Sequence, residues 1–169
     1  GRVHLMERIE DTGVFELFIP GLAAGCGYMY EIKRQGKGTT RKLDPVSRQI
    51  SSVPIIASVV SDENMPDSYA WNDGLWMIKR KKEAGKKKPV TVYEVSLTDW
   101  LKEKSADELV DFVKQEGYTH VCFLPVAEYL NEEMNGYSTL GYFAVTHRIG
   151  GSDAFKKLVD DCHNAGIGV

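Results

Sequence analysis

The second half of the sequence, residues 90–169, alternates between strand-like and helix-like patterns, and this alternation limits the possible folds more than any other feature. Two amphipathic segments separate three short apolar segments; these strand-like segments are 90–97, 119–124 and 167–169. Strands joined by single helices pair in parallel, because each helix carries the chain back to the end at which the previous strand began. The pattern therefore predicts a parallel βαβαβ arrangement.

Local signals predict where the two helices begin and end. Ser105 and Glu108 have the spacing of a capping box, and Gly117 is placed to end the first helix in a left-handed conformation. Ser152 is predicted to cap the second helix, whose apolar residues follow a helical repeat until Gly166. Each helix would pack one apolar face on the sheet.

The first third of the chain has the pattern of short β-strands. Strand-like segments at 14–19 and 28–33 are bounded by glycine-rich turns at 25–27 and 35–38, and residues 42–45 are expected to begin a further extended stretch. Short strands with such turns predict part of a β-sandwich. The fold class is therefore mixed: a partial all-β sandwich followed by an α/β region.

A connector is expected between these two parts. Met65-Pro66-Asp67-Ser68 has turn chemistry, and residues 79–88 contain seven basic residues and one acidic residue. A solvated linker loop is favoured over a nucleic-acid site, because no aromatic residues alternate with the lysines. The predicted division is a partial sandwich at 1–60, a connector with a basic loop at 61–89 and an α/β region at 90–169.

Composition excludes several classes of protein. The formal net charge of −3 gives no overall attraction to nucleic acid, and no apolar run is long enough to cross a membrane. The three cysteines have no CxxC spacing and are expected to be buried, reduced thiols of a cytoplasmic protein; they are Cys26, Cys122 and Cys162. No histidine has a partner at metal-ligand spacing, and His163 is expected to be a solvated or capping residue. No metal or cofactor is predicted.

Ordered motifs along the chain resemble those of the α-glucan branching enzymes. The run NGYSTLGYFA at 135–144 and the run LVDDCHNAGIGV at 158–169 are similar to that family's GYQxTGYFAxTxRxG and LVDxCHxxGIGV patterns. Shorter segments also resemble family motifs; they are 13–22, 28–32, 42–45, 71–76, 92–95 and 124–128. Each match alone is weak, but together, in order, they cover nearly the whole chain.

The resemblance implies both a fold and a reaction. It implies the second part of a glycogen-binding-type β-sandwich, followed by the first strands of a (β/α)8 barrel of glycoside hydrolase family thirteen. Members of the family transfer an α-1,4-glucan segment to an α-1,6 position by retaining double displacement, with a carboxylate nucleophile and a glutamate acid/base. Those carboxylates lie on barrel strands four, five and seven, whereas this sequence reaches strand three. No catalytic residue is assigned, and this polypeptide alone is expected to be inactive.

The resemblance also suggests residues that contact the sugar. Tyr137 corresponds to an aromatic residue that stacks under the sugar beside the scissile bond, and Gly136 lets the backbone come close to it. Glu128 either forms hydrogen bonds near the sugar or has a structural role in its loop. Trp100, like Trp71 and Trp76, either contacts glucan or packs the sandwich against the barrel.

The expected ligand is an α-glucan such as glycogen or amylose. Three parallel strands cannot close a barrel, so they are expected to pair with the rest of a parent chain or to associate with each other through their open edges. Two alternatives stay open. One is a non-catalytic glucan-binding or regulatory protein, and the other is a debranching or trehalose-releasing member of the same family.

Overall fold

The computed structural model describes residues 2–51, 54–62 and 69–169, and the predicted turn at 65–68 lies outside the described residues. Its first strands are β1 Glu7–Arg8, β2 Phe15–Glu16, β3 Gly27–Tyr28, β4 Tyr30–Arg34, β5 Gly38–Lys42, β6 Ile50–Ser51 and β7 Ala57–Val59. The strands that follow are β8 Val92–Val95, β9 His120–Phe123, β10 Ala127–Tyr129 and β11 Thr139–Val145. The α-helices are α1 Gly74–Glu83, α2 Leu97–Trp100, α3 Ala106–Gln115 and α4 Gly151–Asn164. The predicted mixture of sheet and helix is confirmed.

The first part of the chain forms antiparallel sheets. β1 pairs with β2, β4 pairs with β5, and β7 lies between β3 and β6. The predicted turn at 35–38 joins β4 to β5, with Gly36 at a φ of 72° that favours glycine. Apolar side chains of this part are largely exposed, including Leu5 at 78% and Phe18 at 86%. The antiparallel sheets of the described residues therefore leave much of their apolar surface in contact with solvent.

The prediction of an extended stretch beginning at residues 42–45 is wrong. Lys42 is the last residue of β5, and Asp44 begins a turn in which its carbonyl accepts from the Ser47 N–H at 3.2 Å. The Asp44 carboxylate accepts from the Val46 N–H at 2.9 Å and from the Tyr28 hydroxyl at 2.5 Å. These bonds favour a turn because an aspartate side chain can bond the backbone two residues ahead of it.

The second part of the chain has the predicted parallel pairing. β8 pairs in parallel with β9, from Val92 opposite His120 to Val95 opposite Phe123. After α4 the chain returns to the other side of β9, where Gly168 accepts from the Val121 N–H and donates to the Thr119 carbonyl, each at 2.9 Å. Three chain segments thus run in parallel, with β9 in the middle.

Helices α3 and α4 cover one face of this sheet. The buried core consists of Leu97, Leu109, Val110, Val113, Val121, Ile149, Leu158, Cys162 and Ile167. The predicted capping box at the start of α3 is present: the Glu108 N–H donates to Ser105 Oγ at 3.2 Å, and the Ser105 N–H donates to Glu108 Oε2 at 2.7 Å. Gly117 follows α3 at a φ of 76°, as predicted.

The start of α4 differs from the prediction. The helix begins at Gly151, and the residue before it, Gly150, has a φ of 88° and provides no side-chain cap. Ser152 therefore lies inside the first turn, and its predicted capping role is wrong. The reason is that a 3-10 turn at His147–Ile149 leads directly into the helix, so the change of chain direction occurs at Gly150.

The opposite face of the parallel sheet is uncovered within the described residues. Val92 is 51% exposed, and Glu94 and Cys122, which lie opposite each other in the register, are also exposed. The prediction that all three cysteines are buried is therefore wrong for Cys122, because alternate residues of a strand point to opposite faces, and Cys26 is only half-buried. Cys162 is buried in the helical layer, and burial raises the pKa of its thiol to about 12.

Part of the connector is helical, contrary to the prediction of a basic loop. Residues 79–83 belong to α1, which contacts α4 through Trp76. The Trp76 ring stacks on the His163 ring with centroids 5.0 Å apart, and His163 Nδ1 lies 2.7 Å from Asp73 Oδ2. His163 is therefore a packed and paired residue, so the prediction of a solvated or capping role is wrong.

A second contact ties the connector to α4. The buried Asp160 carboxylate accepts from the Asn72 backbone N–H at 3.0 Å and from the Tyr69 hydroxyl at 3.2 Å. Trp71 is 46% exposed and packs edge-on against the Tyr69 ring.

None of the helices in the described residues is both long enough and apolar enough to span a lipid bilayer.

Candidate functional site

A hairpin follows the carboxyl end of β9 and carries the residues that the sequence singles out. Its strands β10 and β11 pair antiparallel, from Ala127 opposite Val145 to Tyr129 opposite Thr139, with bulges between them. The hairpin also contacts the first part of the chain. Gly141 packs so closely on the side chain of Ile50 that a Cβ on Gly141 would overlap it. The hairpin therefore lies between the parallel sheet and the antiparallel sheets.

The tip of the hairpin folds back onto the end of β9. Gly136 has a φ of 87°, and a Cβ at this position would lie 2.8 Å from the carbonyl oxygen of Pro125. Only glycine fits so close an approach at this φ. The next residue, Tyr137, donates its N–H to the Met134 carbonyl at 2.9 Å and is 64% exposed. Its ring is therefore available to a ligand near the carboxyl end of the parallel strands.

Glu128, by contrast, is 1% exposed and fully occupied by protein groups. Its Oε1 accepts from Arg148 Nη1 at 2.6 Å, from Thr146 Oγ1 at 3.2 Å and from the Tyr129 N–H at 3.2 Å. Its Oε2 accepts from the backbone N–H of His147 at 3.1 Å and contacts His147 Nδ1 at 2.9 Å. Of the two roles considered for Glu128, these contacts favour the structural one.

The charge on Glu128 is set by two opposing effects. Burial pushes the pKa of its carboxyl upward, but hydrogen bonds from the His147 side chain and backbone outweigh burial, and the pKa is lowered from its ordinary value. Glu128 is therefore ionised at neutral pH, and His147 Nδ1 must donate to it. The Arg148 guanidinium supplies a buried counter-charge and lies 4.2 Å from the centroid of the Tyr129 ring.

Trp100 makes contacts with the protein rather than an open aromatic surface. Its ring lies 5.7 Å from the Phe112 ring, and Lys104 Nζ lies 4.6 Å from its centroid. The indole N–H donates to the Ser105 carbonyl at 2.9 Å. These partners belong to α3 and the loop before it. The contacts therefore place Trp100 within the α/β region, not between that region and the sandwich.

Sequence reasoning missed the residues that surround Glu128. Thr146, His147 and Arg148 are consecutive but lie 18 to 20 residues after Glu128, so no local pattern in the sequence links them to it. Among residues 2–51, 54–62 and 69–169, no cluster of three or more His, Cys, Asp or Glu side chains is placed to hold a metal ion. The candidate site therefore consists of the exposed Tyr137 and the buried Gly136 that precedes it, and the Glu128 network lies on the same hairpin and the turn after it.

Proteins similar to the chain by sequence include 1,4-alpha-glucan branching enzymes. No protein-family model matches it. The chain is 40% identical over its whole length to a 1,4-alpha-glucan branching enzyme GlgB of Nitrosococcus oceani, of which it covers 24%. It is also 40% identical over its whole length to the corresponding enzyme of Gloeobacter violaceus, again covering 24%. It thus spans about a quarter of the length of these relatives.

Solved structures with a similar fold include two carbohydrate-related proteins. A putative alpha amylase from Salmonella typhimurium superimposes with a TM-score of 0.66 and 25% identity, over 96% of this chain and 26% of that one. The glycogen-degrading pneumococcal virulence factor SpuA superimposes with a TM-score of 0.67 over 96% of this chain and 22% of that one, and its 19% identity supports the fold alone. By sequence, then, the chain is similar over its whole length to about a quarter of the length of 1,4-alpha-glucan branching enzymes.

Proposed function

We propose that this chain supplies part of the glucan-binding surface of an α-1,4-glucan branching enzyme, which transfers an α-1,4-glucan segment to an α-1,6 position. The observation that carries the proposal is the exposed Tyr137 ring near the carboxyl end of β9, in a chain whose relatives over its full length are named branching enzymes. Barrel enzymes bind substrate at the carboxyl ends of their strands. A flat aromatic face suits the apolar C–H face of a glucose ring.

The proposal includes a division of the chain into three parts. Residues 1–60 would be part of a carbohydrate-binding-type sandwich, residues 61–89 a connector, and residues 90–169 the first strands and helices of a (β/α)8 barrel. The change from antiparallel pairing to the parallel pair β8–β9 supports this division. Helices on one face of β8 and β9, with an uncovered opposite face, are what the wall of such a barrel would present.

In this proposal, the two carboxylates of retaining glycosyl transfer come from outside the 169 residues. Glu128 lies beside the site, but both of its oxygens are occupied by protein donors, so it has no role as nucleophile or acid/base. The ligand is an α-glucan. A cytoplasmic location is part of the same proposal, because the cysteines of the described residues form no disulfide.

The test is a comparison of Tyr137 variants in the 169-residue chain. Tyr137→Ala should weaken binding of maltoheptaose about tenfold, because it removes an apolar ring face worth more than about 1.4 kcal/mol when covered. Tyr137→Phe keeps that face and should bind within about twofold of the native chain. Binding is measured by isothermal titration calorimetry or by NMR titration.

Tyr142→Ala serves as the control, because Tyr142 is also a tyrosine of this hairpin and is 81% exposed. It should leave the affinity for maltoheptaose unchanged. Equal losses in the Tyr137→Ala and Tyr142→Ala variants would show that exposed aromatic area in general, and not the site at the end of β9, binds the glucan. No binding by the native chain would overturn the proposal.

The uncovered sheet leads to a separate prediction about association. We infer that the exposed face around Val92 and the open strand edges pair with the remainder of a parent chain, and that in its absence the 169-residue chain associates with itself. Analytical ultracentrifugation over a range of concentrations should show species larger than the monomer at the higher concentrations. A stable monomer at all concentrations would contradict this inference.

A further inference from the structure

The His147 side chain contacts the Glu128 carboxylate through Nδ1, and the rest of its ring is open to solvent. Arg148 already neutralises the Glu128 charge at 2.6 Å, and the His147 backbone N–H already donates to Oε2 at 3.1 Å. The imidazole is 58% exposed, so it adds little packing. A side chain that is held at one end by a buried carboxylate and exposed at the other is placed to contact a ligand.

The contact with Glu128 determines which nitrogen of His147 faces outward. Because ionised Glu128 only accepts hydrogen bonds, Nδ1 at 2.9 Å is the nitrogen that carries the proton in the neutral form of the ring. Nε2 is then left with its lone pair, on a ring whose orientation is fixed by a buried carboxylate. Such a carboxylate–histidine pair holds one tautomer and one orientation of the imidazole.

His147 and the candidate sugar-contacting residue both follow residues that approach the short segment after β9. Gly136, which precedes Tyr137, approaches the carbonyl oxygen of Pro125. Thr146, which precedes His147, donates its N–H to the carbonyl of Val126 at 2.9 Å. Both segments therefore approach consecutive residues of the chain after β9, and both ring side chains are exposed.

We propose that His147 is a glucan-binding residue whose Nε2 accepts a hydrogen bond from a hydroxyl group of the sugar that stacks on Tyr137, and that Glu128 is the residue that positions it. This assignment rests on the proposed function. Glucose hydroxyls are ring substituents directed outward from the edge of the sugar, so an acceptor beside the stacking ring complements an aromatic face beneath it. Glu128 then acts on the ligand through His147, not directly.

Two substitutions of His147 separate its inner contact from its outer one. Asparagine places an amide donor where Nδ1 lies and has no atom where Nε2 lies, so His147→Asn keeps the bond to Glu128 and loses the contact with the sugar. Affinity for maltoheptaose should fall about three- to tenfold, the range expected for the loss of one net hydrogen bond. His147→Gln places its amide near the position of Nε2 and should recover part of that loss.

His4→Asn is the matched control, because His4 is exposed in the first part of the chain, outside the site. It should leave the affinity for maltoheptaose unchanged. The ¹⁵N resonances of the His147 ring give a second readout that requires no variant. In the native chain they should report a protonated Nδ1 and an unprotonated Nε2, and added maltoheptaose should shift the Nε2 resonance.

The outcomes separate the two proposals. If the native chain binds maltoheptaose, but His147→Asn binds equally well and the Nε2 resonance does not move, the role of His147 is overturned and the proposed function stands. If the native ring is protonated at Nε2, positioning by Glu128 is overturned. If the native chain does not bind maltoheptaose, the proposed function is overturned and the role of His147 with it.

Discussion

Replacing Glu128 with glutamine is expected to lower the free energy of unfolding by about 3–5 kcal/mol, because it leaves the Arg148 guanidinium without its buried counter-charge. A domain has only about 5–15 kcal/mol of stability, so the loss is a large fraction of the total. Urea denaturation followed by circular dichroism measures it. Glu132→Gln is the control: Glu132 also faces Arg148, at 3.7 Å, but is 70% exposed, and its loss should cost less than about 1 kcal/mol.

The effect of Glu128 should also depend on pH. Its pKa in the folded chain is lower than its ordinary value of 4.5, so its stabilising contribution is complete above that value. The contribution is lost as pH falls through the lower, folded value, where the native carboxyl also becomes protonated. The difference in stability between the native chain and Glu128→Gln should therefore be constant near neutral pH and shrink in acid. An equal difference at all pH values would contradict the ionised network.

Replacing Leu109 with alanine is expected to cost about 2–5 kcal/mol, the range for a leucine deleted from a packed core. Leu109 is 0% exposed, at the centre of the layer that α3 and α4 form on the parallel sheet. Leu75→Ala is the matched control, because Leu75 is also on a helix but is 83% exposed, and its loss should change stability by less than about 0.5 kcal/mol. Similar losses for the two variants would mean that Leu109 does not lie in the core described above.

The parallel region was predictable because its signals are local and agree with one another. Alternating strand and helix patterns determined the pairing of β8 with β9, and the Ser105–Glu108 capping box needs only residues three apart. Ser152 shows where local signals mislead. Serine before an amphipathic run is a good cap, but a 3-10 turn and the positive φ of Gly150 begin the helix earlier.

The connector could not be predicted from its own residues. Its lysine-rich composition favours a solvated segment, and the residues of α1 are indeed mostly exposed. The position of the connector in the fold is set by the stacking of Trp76 on His163, which lies 87 residues later in the chain. A contact between positions so distant leaves no periodic signal in either segment.

The candidate site was predictable only at its surface. Tyr137 and Gly136 stand in a recognisable motif, and the close approach of Gly136 to Pro125 agrees with the need for glycine there. The role of Glu128 was open because its partners Thr146, His147 and Arg148 come from 18 to 20 residues away, across a bulged hairpin. Bulges shift the register, and alternation along the strands then no longer indicates which side chains meet.

The bond between Asn72 and Asp160 has a consequence for the order in which the molecule assembles. It joins residues 88 positions apart and so closes a loop that contains β8, β9 and the helix α3 between them. Closing a flexible loop of that length costs about 4 kcal/mol in chain entropy, whereas the cost falls once the intervening segment is compact. During synthesis the connector is made before α4. Asn72 of the connector can therefore bond to Asp160 only after α4 has formed and packed.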